Sequence, residues 1–406
     1  MRRLDYLLNT SQGNYQAHID RFGRRFSLRI DQEPYSKKSM RDPEKKVFHE
    51  QVDAYMRINR RGPFRGPVIM QMDFFPSRGN PPSIHHLPKN YIDLLYRRSS
   101  EHRLRFPLYD DRQISILIVN YHVQFPVENP SIRISMASLG DYLKDLKLLS
   151  LIKSEHRFTE DDWCYSYDSS EIFYRDKENI EFERAYDRLL DHREFLSDIG
   201  KEYSEANFEN ILIRDAQAAF LKLNKFDSSD LAYIYFTQPS GLGDIMDSLF
   251  NEGRSWIISS PFNELKPFGL PTQEGETGVF KETVRQKMNE FCKRYPLLTP
   301  LLANLSLTIL YIPPRNQEID LDNLARYIVP LVNEALNPPT SFWFSEVPKK
   351  FPKHTIIQYQ VIKLPRSMGD PSDGLVSILL NEHETYNNIW EETDSIIERW
   401  SDIALD

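Results

Sequence analysis

Two carboxylates one residue apart, where an apolar run gives way to a helical pattern, are the part of this 406-residue sequence best suited to chemistry. Asp320 and Asp322 stand in Asp320-Leu321-Asp322-Asn323, between the strand-like LSLTILYI and the amphipathic LDNLARYIVPLVNEAL. Hard oxygen ligands converging on one point bind Mg²⁺ or Mn²⁺, and such an ion activates water and neutralises charge on a phosphate. Asp and Asn are also favoured at helix N-caps, where they accept bonds from free backbone N–H groups, so the tetrad has a purely structural use too. A second pair, Asp110-Asp111, precedes another β-branched run, and His85 and His86 offer nitrogen ligands for a mixed His/Asp site for Mn²⁺ or Zn²⁺. Neighbouring helical residues diverge by about 100°, so the two imidazoles do not share one ion. Gly241-Leu242-Gly243-Asp244 lacks the third glycine of a dinucleotide loop and reads as a turn. The chain's two cysteines, Cys164 and Cys292, suffice for neither a cysteine zinc site nor a disulfide framework.

The elements that carry these residues occur twice, in the same order. The first copy runs through Phe26 to Ile30, a helix from about Pro43 to Ile58 with Val47, Val52 and Tyr55 among its apolar positions, and the strand Val68 to Phe75. A helix from about Ile84 to Tyr96 and a strand from Gln113 to Val119 complete it. The second copy has WIISSPF, the helix FKETVRQKMNEFCKRY, the strand LSLTILYI, the helix LDNLARYIVPLVNEAL and the strand TIIQYQVIK. The expected organisation is therefore α+β: module one at 1–124, a mostly helical acidic insert at 125–252, module two at 253–366, and an acidic helical tail at 367–406. The insert and tail are candidate surfaces for a protein partner.

Charge separates the modules. Residues 1–125 hold 22 Lys+Arg against 13 Asp+Glu, a balance of +9, while the remainder holds 29 against 46, a balance of −17. Phosphate contacts depend on local charge, so a basic face at Arg24, Arg25, Lys37, Lys38, Arg60, Arg61 and Arg65 is the candidate nucleic-acid surface despite a net charge of −8. No apolar stretch approaches the roughly 20 residues of a membrane span, and the first residues lack a signal-peptide pattern, which points to the cytoplasm.

From Leu305 onward the sequence resembles the RusA-type Holliday junction resolvases. That family has an apolar strand, a short basic loop, a D-L-D-N that opens a helix, an aromatic turn with two Asp residues, and a strand ending in Lys. Here LSLTILYIPPRNQEI, DLDNLARYIVPLVNEAL, SFWFSE and TIIQYQVIKLP take those places. The resemblance implies an acid triad of Asp320, Asp322 and Glu346, with Glu346 in place of an Asp, and Arg326 where the family has a helix lysine. In module one Ser83 and His85 replace the two leading acids, Lys89 keeps the lysine, and Asp110 and Asp111 match the Asp-pair turn, so this second site is degenerate.

The family acts as homodimers on branched DNA, so the chain resembles a dimer fused into one polypeptide, a pseudo-dimer of two RusA-like modules. The implied activity is Mg²⁺- or Mn²⁺-dependent, structure-selective cleavage of branched or duplex DNA in recombination or repair. A non-catalytic DNA-binding or assembly subunit on the same scaffold is the alternative. The family takes its acids from one protomer, which argues against a third arrangement joining Asp320 and Asp322 to Asp110 and Asp111.

Overall fold

The computed structural model describes residues 9–77, 81–96, 104–122, 129–155, 278–315, 318–337, 355–366, 374–382 and 389–405, together with Tyr6 and a few positions between 213 and 236. The ordered elements are α1 (Ser11–Phe22), β1 (Phe26–Ile30), α2 (Asp42–Ile58), β2 (Val68–Phe75), α3 (Pro88–Ile92), β3 (Ile114–Tyr121), β4 (Ser131–Ser138) and α4 (Leu139–Glu155). They continue with α5 (Gly278–Arg294), β5 (Leu305–Ile312), α6 (Leu321–Leu336), β6 (Ile356–Lys363), β7 (Leu375–Glu382) and α7 (Ile389–Leu405). All seven strands form one mixed sheet in the order β1-β4-β2-β3-β6-β5-β7. Among the described residues no helix is long and apolar enough to cross a membrane.

The pairing pattern reads alike from both sides of the central β3–β6 pair. β2 runs parallel to β3 with a register shift between Val68 and Ile69, and β5 runs parallel to β6 with a shift between Leu305 and Ser306. β4 flanks β2 antiparallel from Val68↔Ser138 to Phe75↔Ser131, and β7 flanks β5 from Leu305↔Glu382 to Ile312↔Leu375. In the antiparallel β3–β6 pair, Ile116 faces Ile362 and Asn120 faces Gln358, with Ile118 and Gln360 between them. Exchanging Ile116 with Gln358 and Asn120 with Ile362 leaves the pairing unchanged, so a two-fold operation of the pattern passes through the Ile118–Gln360 pair. A hydrogen bond of 2.7 Å from Gln358 Nε2 to Asn120 Oδ1 ties the halves together there, and Asn120 Nδ2 donates to Asp73 at 2.7 Å.

Alternation along each strand divides the core. Val68, Met70, Met72 and Phe74 of β2, with Leu307, Ile309 and Tyr311 of β5, pack beneath α2, α5 and α6. Ile69, Ile116, Ile118 and Leu310 face Tyr142 and Leu146 of α4 and Trp390 of α7. α6 is an ordinary amphipathic helix in this respect: Leu324, Ile328, Leu331, Val332 and Leu336 are buried.

Several expectations change. In α2 the buried stripe is Phe48, Val52 and Met56, and Val47 is exposed. The expected helix at 84–96 is a short 3₁₀ turn, Ile84–His86, followed by α3, because Pro88 donates no N–H and restarts the helix at its first position. The expected insert begins with a strand and helix of the sheet, β4 and α4, since Ile132, Ile134 and Met136 alternate with polar residues. The expected helical tail begins with β7, whose LVSILLNE is an apolar run too short to distinguish strand from helix by periodicity. Gly374 starts β7 with φ +77°, and a Cβ there would lie 2.5 Å from the Ile312 carbonyl oxygen. WIISSPF and the helical patterns expected between 156 and 252 lie outside the described residues, apart from isolated positions.

Candidate functional site

Lys89 organises the site. From the first turn of α3 its Nζ lies 3.4 Å from Asp322, 3.5 Å from Asp93, 3.6 Å from Asp111 and 3.7 Å from Asp320. Two of these acids belong to the first half of the sheet and two to the second. Asp320 and Asp322 therefore stand beside Asp111 across the β3–β6 pair, whereas Asp110 has no contact with Lys89 among the described residues.

Each acid reaches this point by a different local device. Asp320 is the residue before α6, yet its side chain caps no backbone N–H; its Oδ2 accepts from Asn323 Nδ2 at 3.0 Å. The loop before it is held by the Tyr311 hydroxyl, which accepts from Ile319 N at 3.0 Å. Asp322 is 3 % exposed, and its Oδ2 has no hydrogen-bond partner among the described residues, leaving the Lys89 ion pair as its support. In the turn before β3, Asp110 does the structural work: its carboxylate accepts from Arg112 N at 2.9 Å, while Gln113 Oε1 accepts from Tyr109 N at 2.7 Å. Asp111 is thereby left to face Lys89. Asp93, one helical turn after Lys89, also takes Lys37 Nζ at 2.6 Å and the Tyr96 hydroxyl at 3.3 Å.

Lys363, the lysine that ends β6, joins the two acid-bearing turns. Its Nζ donates to Glu318 Oε1 at 2.5 Å, two residues before Asp320, and to the Arg112 carbonyl at 2.9 Å, one residue after Asp111.

Crowding of like charges is visible in the acidities. Burial pushes Asp322 up to about 6; Lys89 opposes this, and Asp320 and Asp93 add to it. Burial, the Asp110 carboxyl and Asp320 raise Asp111 to about 7, again against Lys89. For Lys89, burial works against the charged form, but Asp322, Asp93, Asp320 and Asp111 outweigh it and hold the ammonium well above its usual range. Tyr359 of β6 is fully buried beneath this site and its hydroxyl is raised by burial and by Asp322.

Oxygen donors of this kind suit a hard divalent cation, and the buried Asp322 Oδ2, which has the 3.4 Å ion pair with Lys89 but no hydrogen bond among the described residues, is what such an ion would satisfy. Among the described residues no three imidazole, thiol or carboxylate groups already stand as a ligand set, because the ammonium occupies the point on which the acids converge.

The other expected site residues are distributed differently. Glu346 lies outside the described residues. Ser83 precedes the Ile84–His86 turn, which packs against α6, and the Arg326 guanidinium bears on His85. Of the basic residues, Arg25 is an interior partner rather than a surface cation: it pairs with Asp394 at 2.6 Å and Asp145 at 3.3 Å. Arg61 donates to the carbonyls of Gly23 and Arg24 at 2.8 Å each, and Arg24 pairs with Asp141 at 3.1 Å. Lys37 is committed to Asp93 at 2.6 Å. Lys38, Arg60 and Arg65 are exposed.

Sequence reasoning missed Asp93, Lys363, Glu318 and Tyr359. Asp93 had a local signal in its i, i+4 spacing from Lys89, and Lys363 one in the terminal lysine of the closing strand; Glu318 and Tyr359 had none. Comparison with protein-family models, with curated proteins and with solved structures found no match.

Proposed function

We propose that the chain is a divalent-metal-dependent, structure-selective DNA endonuclease, built as two RusA-like modules in one polypeptide and working through a single site shared between them. The observation that carries this is the convergence of four carboxylates from both halves on one ammonium, with a buried Asp322 oxygen left without a hydrogen bond. Lys37 pairs with Asp93, so Lys89 is left to balance Asp111, Asp320 and Asp322, more carboxylates than one ammonium matches.

Asp320, Asp322 and Asp111 are the residues that would hold Mg²⁺ or Mn²⁺, with Asp111 in the place assigned by resemblance to Glu346. When bound, such an ion supplies Lewis-acid activation of a phosphodiester and of the attacking water. The chain's own groups do the rest. Lys89, released from the acids, presents its ammonium to a phosphate oxygen, and Lys363 holds both acid-bearing turns in register.

The test is cleavage of four-way junction and duplex DNA by the full chain with Mg²⁺ or Mn²⁺. Both Asp322→Asn and Asp111→Asn are expected to abolish cutting while preserving DNA binding. The second reading, a DNA-binding scaffold, is favoured by Lys89 already neutralising part of the cluster. Absence of metal-dependent cutting on every branched substrate decides for it. Retained cutting in Asp111→Asn alone would confine the site to the second half and remove the shared-site account.

A further inference from the structure

The two-fold operation of the pairing pattern gives every site residue a counterpart. Phe75 ends β2 eight residues before Ser83, and Ile312 ends β5 eight residues before Asp320. Ser83 therefore corresponds to Asp320, His85 to Asp322, and Lys89 to Arg326. The counterpart of the Lys89 site lies where α6 packs on the Ile84–His86 turn and on α3.

Its chemistry is the reverse of the first. Arg326 is exposed and has no ion pair or hydrogen bond among the described residues, whereas Lys89 has four carboxylates. Its positive field bears on both His85 and His86, and that of Lys38 bears on His86. Burial, His86 and Arg326 push His85 down to about 4, so its imidazole is neutral at pH 7. The two rings lie 4.1 Å apart between centroids. A guanidinium without a carboxylate, a lysine and neutral imidazoles together form an oxyanion-accepting surface: the guanidinium fork matches two phosphate oxygens, and an imidazole N–H donates to a third.

We propose that the Arg326 site binds a backbone phosphodiester of nucleic acid, holding one strand while the Lys89 site acts on the strand related to it by the same two-fold. Antiparallel strands of a duplex or junction are themselves related by two-fold axes, so a chain with this internal pairing symmetry meets one with its acidic site and the other with the basic counterpart. The proposal rests on the nucleic-acid half of the function above. It adds a division of labour, with metal chemistry at the acidic site and strand retention at the basic one.

The experiment measures binding of a four-way junction by the full chain in EDTA, across a salt series, so that no cleavage enters the readout. Loss of one phosphate contact lowers the slope of log K against log salt by about 0.9. Arg326→Ala is expected to lower the slope by about that amount, and Arg326→Lys to keep most of it while binding more weakly. Lys147→Ala, on α4 across the sheet, is expected to change nothing. A wild-type slope in Arg326→Ala overturns the proposal, as does an equal drop in Lys147→Ala. No junction binding by the wild-type chain would overturn the nucleic-acid function as well. Binding that depends on Arg326 without metal-dependent cutting would uphold the strand-holding site while overturning the enzyme.

Discussion

Around Lys89 four carboxylates crowd one ammonium; around Arg326, at the position related by the sheet's two-fold pairing, the neighbours are imidazoles and a second basic residue. The backbone plan is shared, down to the register shift at the start of β2 and of β5. What differs is a handful of side chains at the ends of strands and the starts of helices. The comparison teaches that each composite site draws on both halves, so a substitution in either half alters the charge of a site that the other half completes.

The comparison breaks most easily at the acids. Asp322→Asn and Asp111→Asn are each expected to lower metal-dependent cutting by about 100-fold or more, measured under single-turnover conditions. Equal losses from opposite halves are the signature of one shared site. The polar link between the halves is tested at the sheet centre: Asn120→Ala removes one buried hydrogen bond from Asp73, which keeps Gln71, and one from Gln358, which keeps Ser306, and is expected to cost about 2 kcal/mol in denaturant unfolding. A cost near zero would show that the polar link across the two-fold pair is incidental.

A finer effect is expected at Lys363. Lys363→Met should lower cutting about tenfold, with partial rescue in Lys363→Arg and little change in junction binding, because it positions the two acid-bearing turns without belonging to the cluster. Unchanged cutting would show that those turns need no strut.

The smallest effect concerns a second buried ion network on the opposite face, where α1 meets α4 and α7. His18 lies 3.0 Å from Asp145 and 3.3 Å from Asp394. Burial opposes protonation of His18, but Asp145 and Asp394 outweigh it and raise its pKa above the usual 6.5. A raised histidine stabilises the fold fully below its unfolded value, and that contribution is lost as pH rises through the folded value. His18→Gln is therefore expected to flatten the decline in stability as pH rises above about 6.5 in urea titrations. A wild-type decline in that variant would assign the pH dependence to other groups.

Much of this was legible in the sequence. The strands 68–75 and 305–312, the helix that follows Asp322 and the repetition of elements all follow from local periodicity, and local periodicity is what survives in a single chain. β4 and β7 were less legible: Ser131–Ser138 was absorbed into a helical region, and LVSILLNE has no period that separates strand from helix. Asp320 and Asp322 stood out in the sequence by type and spacing, but their proximity to Asp93, Asp111 and Lys89 did not. No spacing along the chain says that Asp111 and Asp320 face one lysine, because that proximity is created by the antiparallel β3–β6 pair. The basic face shows the same limit. Arg25 and Arg61 look like free surface charge in sequence, and only tertiary contacts reveal the carboxylates and carbonyls that occupy them.

The central claim is that carboxylates of both halves form one cation site, and the most direct measurement is Mn²⁺ binding followed by electron paramagnetic resonance in the absence of DNA. The account predicts one tight ion per chain, with affinity weakened about tenfold or more in Asp322→Asn and to a similar degree in Asp111→Asn, while His85→Ala in the counterpart site leaves it unchanged. Wild-type Mn²⁺ affinity in Asp111→Asn, or the absence of any bound ion in the unsubstituted protein, would contradict it.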